Sequence, residues 1–145
     1  MAIADRTART DWEGNLARGH GTITPDSGAF EPLPVTWASR TEAPGGKTSP
    51  EELLAAAHSS CFAMAFNAVL AEQGTAADRT SVSATVTLDE VDGKPTITTS
   101  RISLRASAPG LDEQKFREVV DQAAALCPVS RLFTGAEITV EANLE

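Results

Sequence analysis

The sequence predicts an α+β fold on three observations. The stretches 81–108 and 136–145 alternate apolar and polar residues at the period of a strand. The run TSPEELLAAAHSSCFAMAF (48–66) opens on helix-start residues and stays apolar almost all round. A second, one-faced helical stripe lies between the two alternating segments. In order, the chain reads as strands, long helix, strands, helix and strand, one domain over residues 1–145.

Each element has a local cause. WEGNLARGHGTIT (12–24) places turn-forming glycines between short β-capable pieces, and PDSG (25–28) is a turn before an extended stretch over Leu33 to Ala38, which makes an N-terminal hairpin or meander. Ser49 is the cap of the long helix, Pro50 its first residue, and Glu52, three after the serine, completes a capping box. Gly74 tolerates positive φ and stops it. Val82, Ala84, Val86 and Leu88 share one face of a strand, VDGK turns the chain, and Ile102, Leu104 and Ala106 share a face of the return strand. Ile97 is out of phase with Ile102, so the second strand carries a bulge. From Asp112 onward, Phe116, Val119, Val120, Ala123 and Cys127 form one stripe at spacings of three and four, and Pro128 ends the helix. Ile138, Val140, Ala142 and Leu144 make the last half-buried strand.

Charge and composition narrow the function. Twelve Lys and Arg stand against twenty Asp and Glu, a net −8 that repels phosphate backbones and anionic lipid, so neither nucleic acid nor a membrane surface is expected as a partner. The N-terminus shows no basic segment followed by an apolar run, and a cytoplasmic address is expected. In that reducing compartment two cysteines are seldom a static staple, and they are too few for a cysteine-rich zinc site; they are inert core thiols or redox-active ones. The run Leu53 to Ala71 has the length of a membrane span, but His58, Ser59, Ser60 and Asn67 make its transfer into lipid poor, and a core helix is expected instead. A helix apolar on every side needs cover on every side. Five or six modest strands cover one face well, so a second copy of the same helix, in a homodimer, is the economical cover.

Cys61 sits mid-helix, beyond the reach of the helix N-terminal dipole, and apolar surroundings raise a thiol's pKa. A cation is needed to activate it. Arg18, Arg40 and Arg131 are candidates because arginine stays charged where water is scarce. Glu51 is available to orient such an arginine, yet it lies ten residues from Cys61, about 15 Å along one helix. If the helices of a dimer run antiparallel, Glu51 of one chain approaches Cys61 of the other. Cys127, at a helix C-terminus whose partial negative charge disfavours a thiolate, suits a resolving role. The plainer readings are that Cys61 packs in the core, that His58 is hydrogen-bonded there, that His20 is exposed in a turn, and that Trp12, Trp37, Phe62, Phe66 and Phe133 line a core or a pocket.

The segments WEGNLARGHGTITPDSG, TSPEELLAAAHSSCFAMA, and LCPVSRLF followed by AEITVEANL resemble the OsmC branch of the OsmC/Ohr family of organic hydroperoxide reductases over nearly the whole chain. AAAH before the SSC triplet is similar to OsmC, where the Ohr branch more usually has glycine and tyrosine. The resemblance implies an intertwined OsmC-like homodimer, with curved antiparallel sheets wrapped around two central helices and a site at each end of the interface. It implies a two-cysteine peroxidase of the oxidative stress response: Cys61 attacks the peroxide, Cys127 resolves the sulfenic acid as a disulfide, and an arginine paired with Glu51 activates Cys61. Arg18 and Arg40 both match arginine positions of the family pattern, with Arg40 favoured for an OsmC-type site. A dithiol or lipoylated protein is the implied reductant, and no metal, flavin or haem is required. The alternatives are a non-catalytic dimer that binds an apolar ligand while its cysteines only pack, and a Cys–His acyl hydrolase of Cys61 and His58, for which no third residue orients the histidine.

Overall fold

A computed structural model of the chain describes residues 1–133 and 135–145. The chain forms two compact units, Met1–Leu53 and Leu54–Glu145.

The first unit is an antiparallel meander of β1 (Ala8–Glu13), β2 (His20–Pro25) and β3 (Leu33–Val35), in that order. Trp12 pairs with Gly21, and Gly21 with Val35. Gly21 is demanded by this crowding, since a Cβ there would lie 2.7 Å from Val35 Cγ1 and 2.9 Å from Trp12 Cε3. The extended stretch stops at Val35 rather than Ala38. Thr36 caps a one-turn helix, α1 (Trp37–Thr41), in a reciprocal box with Ser39, so the Thr-x-x-Ser spacing outweighs the β-like composition of the segment. The helix α2 (Pro50–Glu72) begins in this unit. Ser49 Oγ accepts the Glu52 N–H at 3.1 Å, as its spacing predicts. The second half of the expected box differs: the Glu52 carboxylate accepts from the Thr48 hydroxyl at 2.7 Å.

The second unit takes up α2 and holds the core. The helix ends as Gly74 demands: that residue has φ +72°, its N–H donates to Ala71 O, and the Thr75 N–H reaches back to Leu70 O. β4 (Arg79–Val91) and β5 (Lys94–Ser107) form a long hairpin through Asp92-Gly93, both at positive φ (51° and 74°), the left-handed pair that a tight two-residue turn requires. Thr87 pairs with Thr99 but Leu88 with Ile97, so Thr98 is the extra residue of the bulge anticipated from the phase of Ile97. Asp112 caps α3 (Glu113–Leu126) by accepting the Lys115 N–H at 2.8 Å; a one-turn helix α4 (Pro128–Leu132) and β6 (Glu137–Leu144) follow.

β6 lies beside β5 and runs parallel to it, Ile102 facing Val140. The sheets are therefore not antiparallel throughout. The α3–α4 segment returns the chain to the end of the sheet from which β5 started, and a crossover of that length is what a parallel pair needs. Phe62, Phe66, Val69 and Leu70 of α2 pack with Ile102 and Leu104 of β5 and with Phe116, Val119 and Ala123 of α3. The Phe66 and Phe116 rings meet edge to face at 5.8 Å. Burial of each of the phenylalanine, valine, leucine and isoleucine side chains stabilises the unit by about 1.5–3 kcal/mol. α2 is long and apolar enough to cross a membrane, yet this stripe is committed to a protein core. Only 33% of its most apolar window is buried, and Met64 remains 71% exposed.

Candidate active site

In the second unit α2 presents Cys61 beside the core, while Cys127 is fully buried at the break between α3 and α4. Both thiols are free, and their Sγ atoms lie 3.2 Å apart although 66 residues separate them in the chain. Cys127 is more than the end of a helix. It is the C-cap of α3 and also the N-cap of α4, where its sulfur accepts the Ser130 N–H at 3.5 Å. The helix end expected from the sequence is thus also a helix start. Pro128 signals both events, because proline that stops one helix is also suited to the first position of the next. Burial pushes the Cys61 thiol above its usual range; the Val129 N–H pulls it down, and the neighbouring Cys127 raises it again. Taken by itself, this unit holds Cys61 protonated at neutral pH.

His58, one turn before Cys61 on α2, is the buried, hydrogen-bonded histidine expected. Nδ1 lies 2.6 Å from Ser100 Oγ on β5, and Nε2 lies 2.8 Å from Ser130 Oγ on α4. Its ring rests 5.3 Å from that of Phe133. Burial lowers its pKa from the usual 6.5, so the imidazole is neutral at pH 7. Neither Ser100 nor Ser130 stands out in the sequence. They are 42 and 72 residues from His58, and only the fold brings them to it.

In the first unit Arg40, in the last turn of α1, meets Glu51, in the first turn of α2. Nη2 donates to Oε1 at 2.8 Å, and Nε lies 3.0 and 3.3 Å from the two carboxylate oxygens. Arg40 also reaches a cavity of about 240 Å³ whose walls include Trp12, Ile23, Val35, Trp37 and Pro50. Trp12 and Trp37 therefore line a pocket, while Phe62 and Phe66 belong to the core. Arg18 lies in an exposed turn, its backbone N–H on Asn15 Oδ1, and Arg131 is exposed on α4. Of the candidate arginines, Arg40 is the one bonded to Glu51. His20 is exposed but opens β2 rather than sitting in a turn, with Nε2 3.7 Å from Glu13. Among the described residues no group of three or more His, Cys, Asp or Glu is placed to hold a metal ion.

A helix-borne thiol in contact with a second thiol, two three-stranded sheets and one long helix define an α+β thiol protein. Residues 43–143 match the family model for OsmC-like protein, and the chain belongs to that family, with its α+β fold. It is 36% identical over 140 residues to Peroxiredoxin OsmC of Escherichia coli (strain K12), covering 97% of this chain and 96% of that protein. It is 33% identical over 141 residues to organic hydroperoxide resistance protein OhrB of Bacillus subtilis (strain 168), covering 96% of each. The crystal structure of an organic hydroperoxide resistance protein OsmC from Legionella pneumophila superposes with a TM-score of 0.75 at 23% identity, over 100% of this chain and 99% of that one.

Proposed function

We propose that this protein is a thiol-dependent peroxidase that reduces organic hydroperoxides to alcohols, with Cys61 as the attacking thiol and Cys127 as the resolving one. Family membership supports the activity, and the 3.2 Å approach of the two free sulfurs carries the two-cysteine chemistry. The Cys61 thiolate attacks the distal peroxide oxygen, the O–O bond breaks, and the alkoxide leaves and takes up a proton as the alcohol. Cys61 becomes a sulfenic acid. Cys127 then attacks that sulfur, a disulfide forms, and water leaves with the thiol proton. A reducing dithiol, free or as a lipoyl group on a protein, reopens the disulfide by exchange.

The raised pKa of Cys61 calls for a cation during the first step. Arg40, steered by Glu51, is the group suited to supply it and to stabilise the departing alkoxide. The unburied apolar surface of α2 supports a homodimer, in which the Arg40–Glu51 pair of one chain serves Cys61 of its partner. The tryptophan-lined cavity beside Arg40 suits the hydrocarbon part of the substrate, at about 25 cal/mol per Å² of apolar surface removed from water. A reducing cytoplasm keeps both thiols available between turnovers.

Treatment with one equivalent of cumene hydroperoxide, followed by thiol titration and intact mass, tests the reading. Both thiols are consumed and the chain loses two hydrogens. Survival of both thiols refutes the peroxidase and leaves the apolar cavity as the basis for a ligand-binding protein. Peroxidase rates of Arg40→Ala and Arg18→Ala decide between the arginines, with the larger loss expected for Arg40→Ala.

A further inference from the structure

We propose that His58, acting through Ser130, is a positioning residue for the resolving thiol: it pins the first turn of α4 so that Cys127 faces Cys61. This rests on the two-thiol reaction proposed above. An unbroken set of contacts leads from the imidazole to the sulfurs. Ser100 Oγ holds Nδ1 at 2.6 Å, Nε2 holds Ser130 Oγ at 2.8 Å, the Ser130 N–H reaches Cys127 Sγ at 3.5 Å, and Cys127 Sγ stands 3.2 Å from Cys61 Sγ. The first contact fixes the ring to β5, so the ring joins sheet, long helix and α4.

α4 needs such a tether. It is five residues long, below the length at which a helix holds itself together, and none of its residues is fully buried. Leu132 is 67% exposed, and Val129 is the one apolar residue of the turn that packs against the core. Apolar packing alone therefore holds this turn weakly, while the hydrogen bond to His58 has a direction. His58 is fully buried, so no solvent competes for its nitrogens. A neutral imidazole offers one donor and one acceptor, and each serine hydroxyl can play either part, so both contacts are satisfied at once.

The step that depends on this alignment is disulfide closure. Cys61–SOH and Cys127–SH become Cys61–S–S–Cys127 and water, the new S–S bond replacing the S–O bond. From 3.2 Å the sulfurs need to close by about 1 Å. Misplacement by a similar distance can slow an aligned reaction by about a hundredfold.

The experiment compares wild type, Ser130→Ala and Ser130→Thr in single turnover with one equivalent of cumene hydroperoxide, following peroxide loss and disulfide formation separately. Dimedone traps the Cys61 sulfenic acid that has not closed. Ser130 is partly exposed, so Ser130→Ala keeps the fold, which its melting temperature verifies. In Ser130→Ala closure slows by about tenfold or more, peroxide loss changes by a much smaller factor, and the dimedone adduct accumulates. Ser130→Thr, which keeps the hydroxyl, restores closure. Closure at the wild-type rate in Ser130→Ala overturns the assignment, as does equal slowing of both steps or a Ser130→Thr variant as slow as Ser130→Ala. A wild-type protein that keeps both thiols free overturns the proposed peroxidase and this inference together.

Discussion

Glu51→Gln separates the steering of Arg40 from the mere presence of its charge. Glu51 is 8% exposed, and its carboxylate takes three contacts at 2.8–3.3 Å from the guanidinium. Glutamine keeps the shape and one acceptor oxygen but loses the charge and the two-oxygen fork. A hydrogen bond to a charged group contributes about 1.5–3 kcal/mol and a neutral one about 0.5–1.5, so the exchange costs about 1–2 kcal/mol. Spent on transition-state alignment, that is a fall of about 5–30-fold in kcat/KM for cumene hydroperoxide. The same energy lowers the melting temperature by about 3–8 °C in a chain of this size. Steady-state peroxide consumption at saturating dithiol, measured beside a thermal melt, reads both. An unchanged kcat/KM with a lowered melting temperature would show that the pair only ties α1 to α2, and the catalytic role given to Arg40 would fall.

Cys127→Ser leaves Cys61 able to consume one equivalent of hydroperoxide at close to the wild-type rate, since the neighbour's thiol raises rather than lowers the Cys61 pKa. The product stalls as a sulfenic acid detectable with dimedone, and dithiol-driven turnover falls because no internal thiol closes the disulfide. Phe116→Ala removes a fully buried ring from its edge contact with Phe66 and destabilises the second unit by about 3–5 kcal/mol, measured by urea unfolding. His58 is neutral when folded, with its pKa below the 6.5 it has when unfolded; its contribution is present above pH 6.5 and is lost as pH falls through the folded value. Wild-type stability therefore declines on acidification below 6.5 with a slope from this group of up to about 1.4 kcal/mol per pH unit, and His58→Gln loses that component in melts from pH 7.5 to 5.

What was legible in the sequence is what neighbours along the chain decide. Asp92-Gly93 makes a tight turn whatever surrounds it, Gly74 stops a helix by its own φ, and the slip of Ile97 against Ile102 already contained the bulge. Caps are legible where a side chain bonds its own turn, as at Ser49, but the partner of the Glu52 carboxylate is not, because Thr48 competes for it. α1 is not legible in the sequence because Trp37 and Ala38 continue the apolar character of β3. The direction of β6 and the serines on His58 depend on pairings across 38 to 72 residues, for which periodicity carries no signal. The two cysteines are legible as a pair from the helix-end position of Cys127 and from the resemblance; their contact across 66 residues depends on the fold.

That parallel crossover also sets an order of events during synthesis. Cys61 precedes Cys127 by 66 residues, and at about 5–20 residues per second it leaves the ribosome about 3–13 s earlier. The segment bearing Cys127 is anchored at both ends only once β6, which follows it in the chain, has paired with β5. Until then the resolving thiol proposed for Cys61 is not yet held beside it, so a nascent chain oxidised at Cys61 has no neighbouring sulfur with which to close a disulfide.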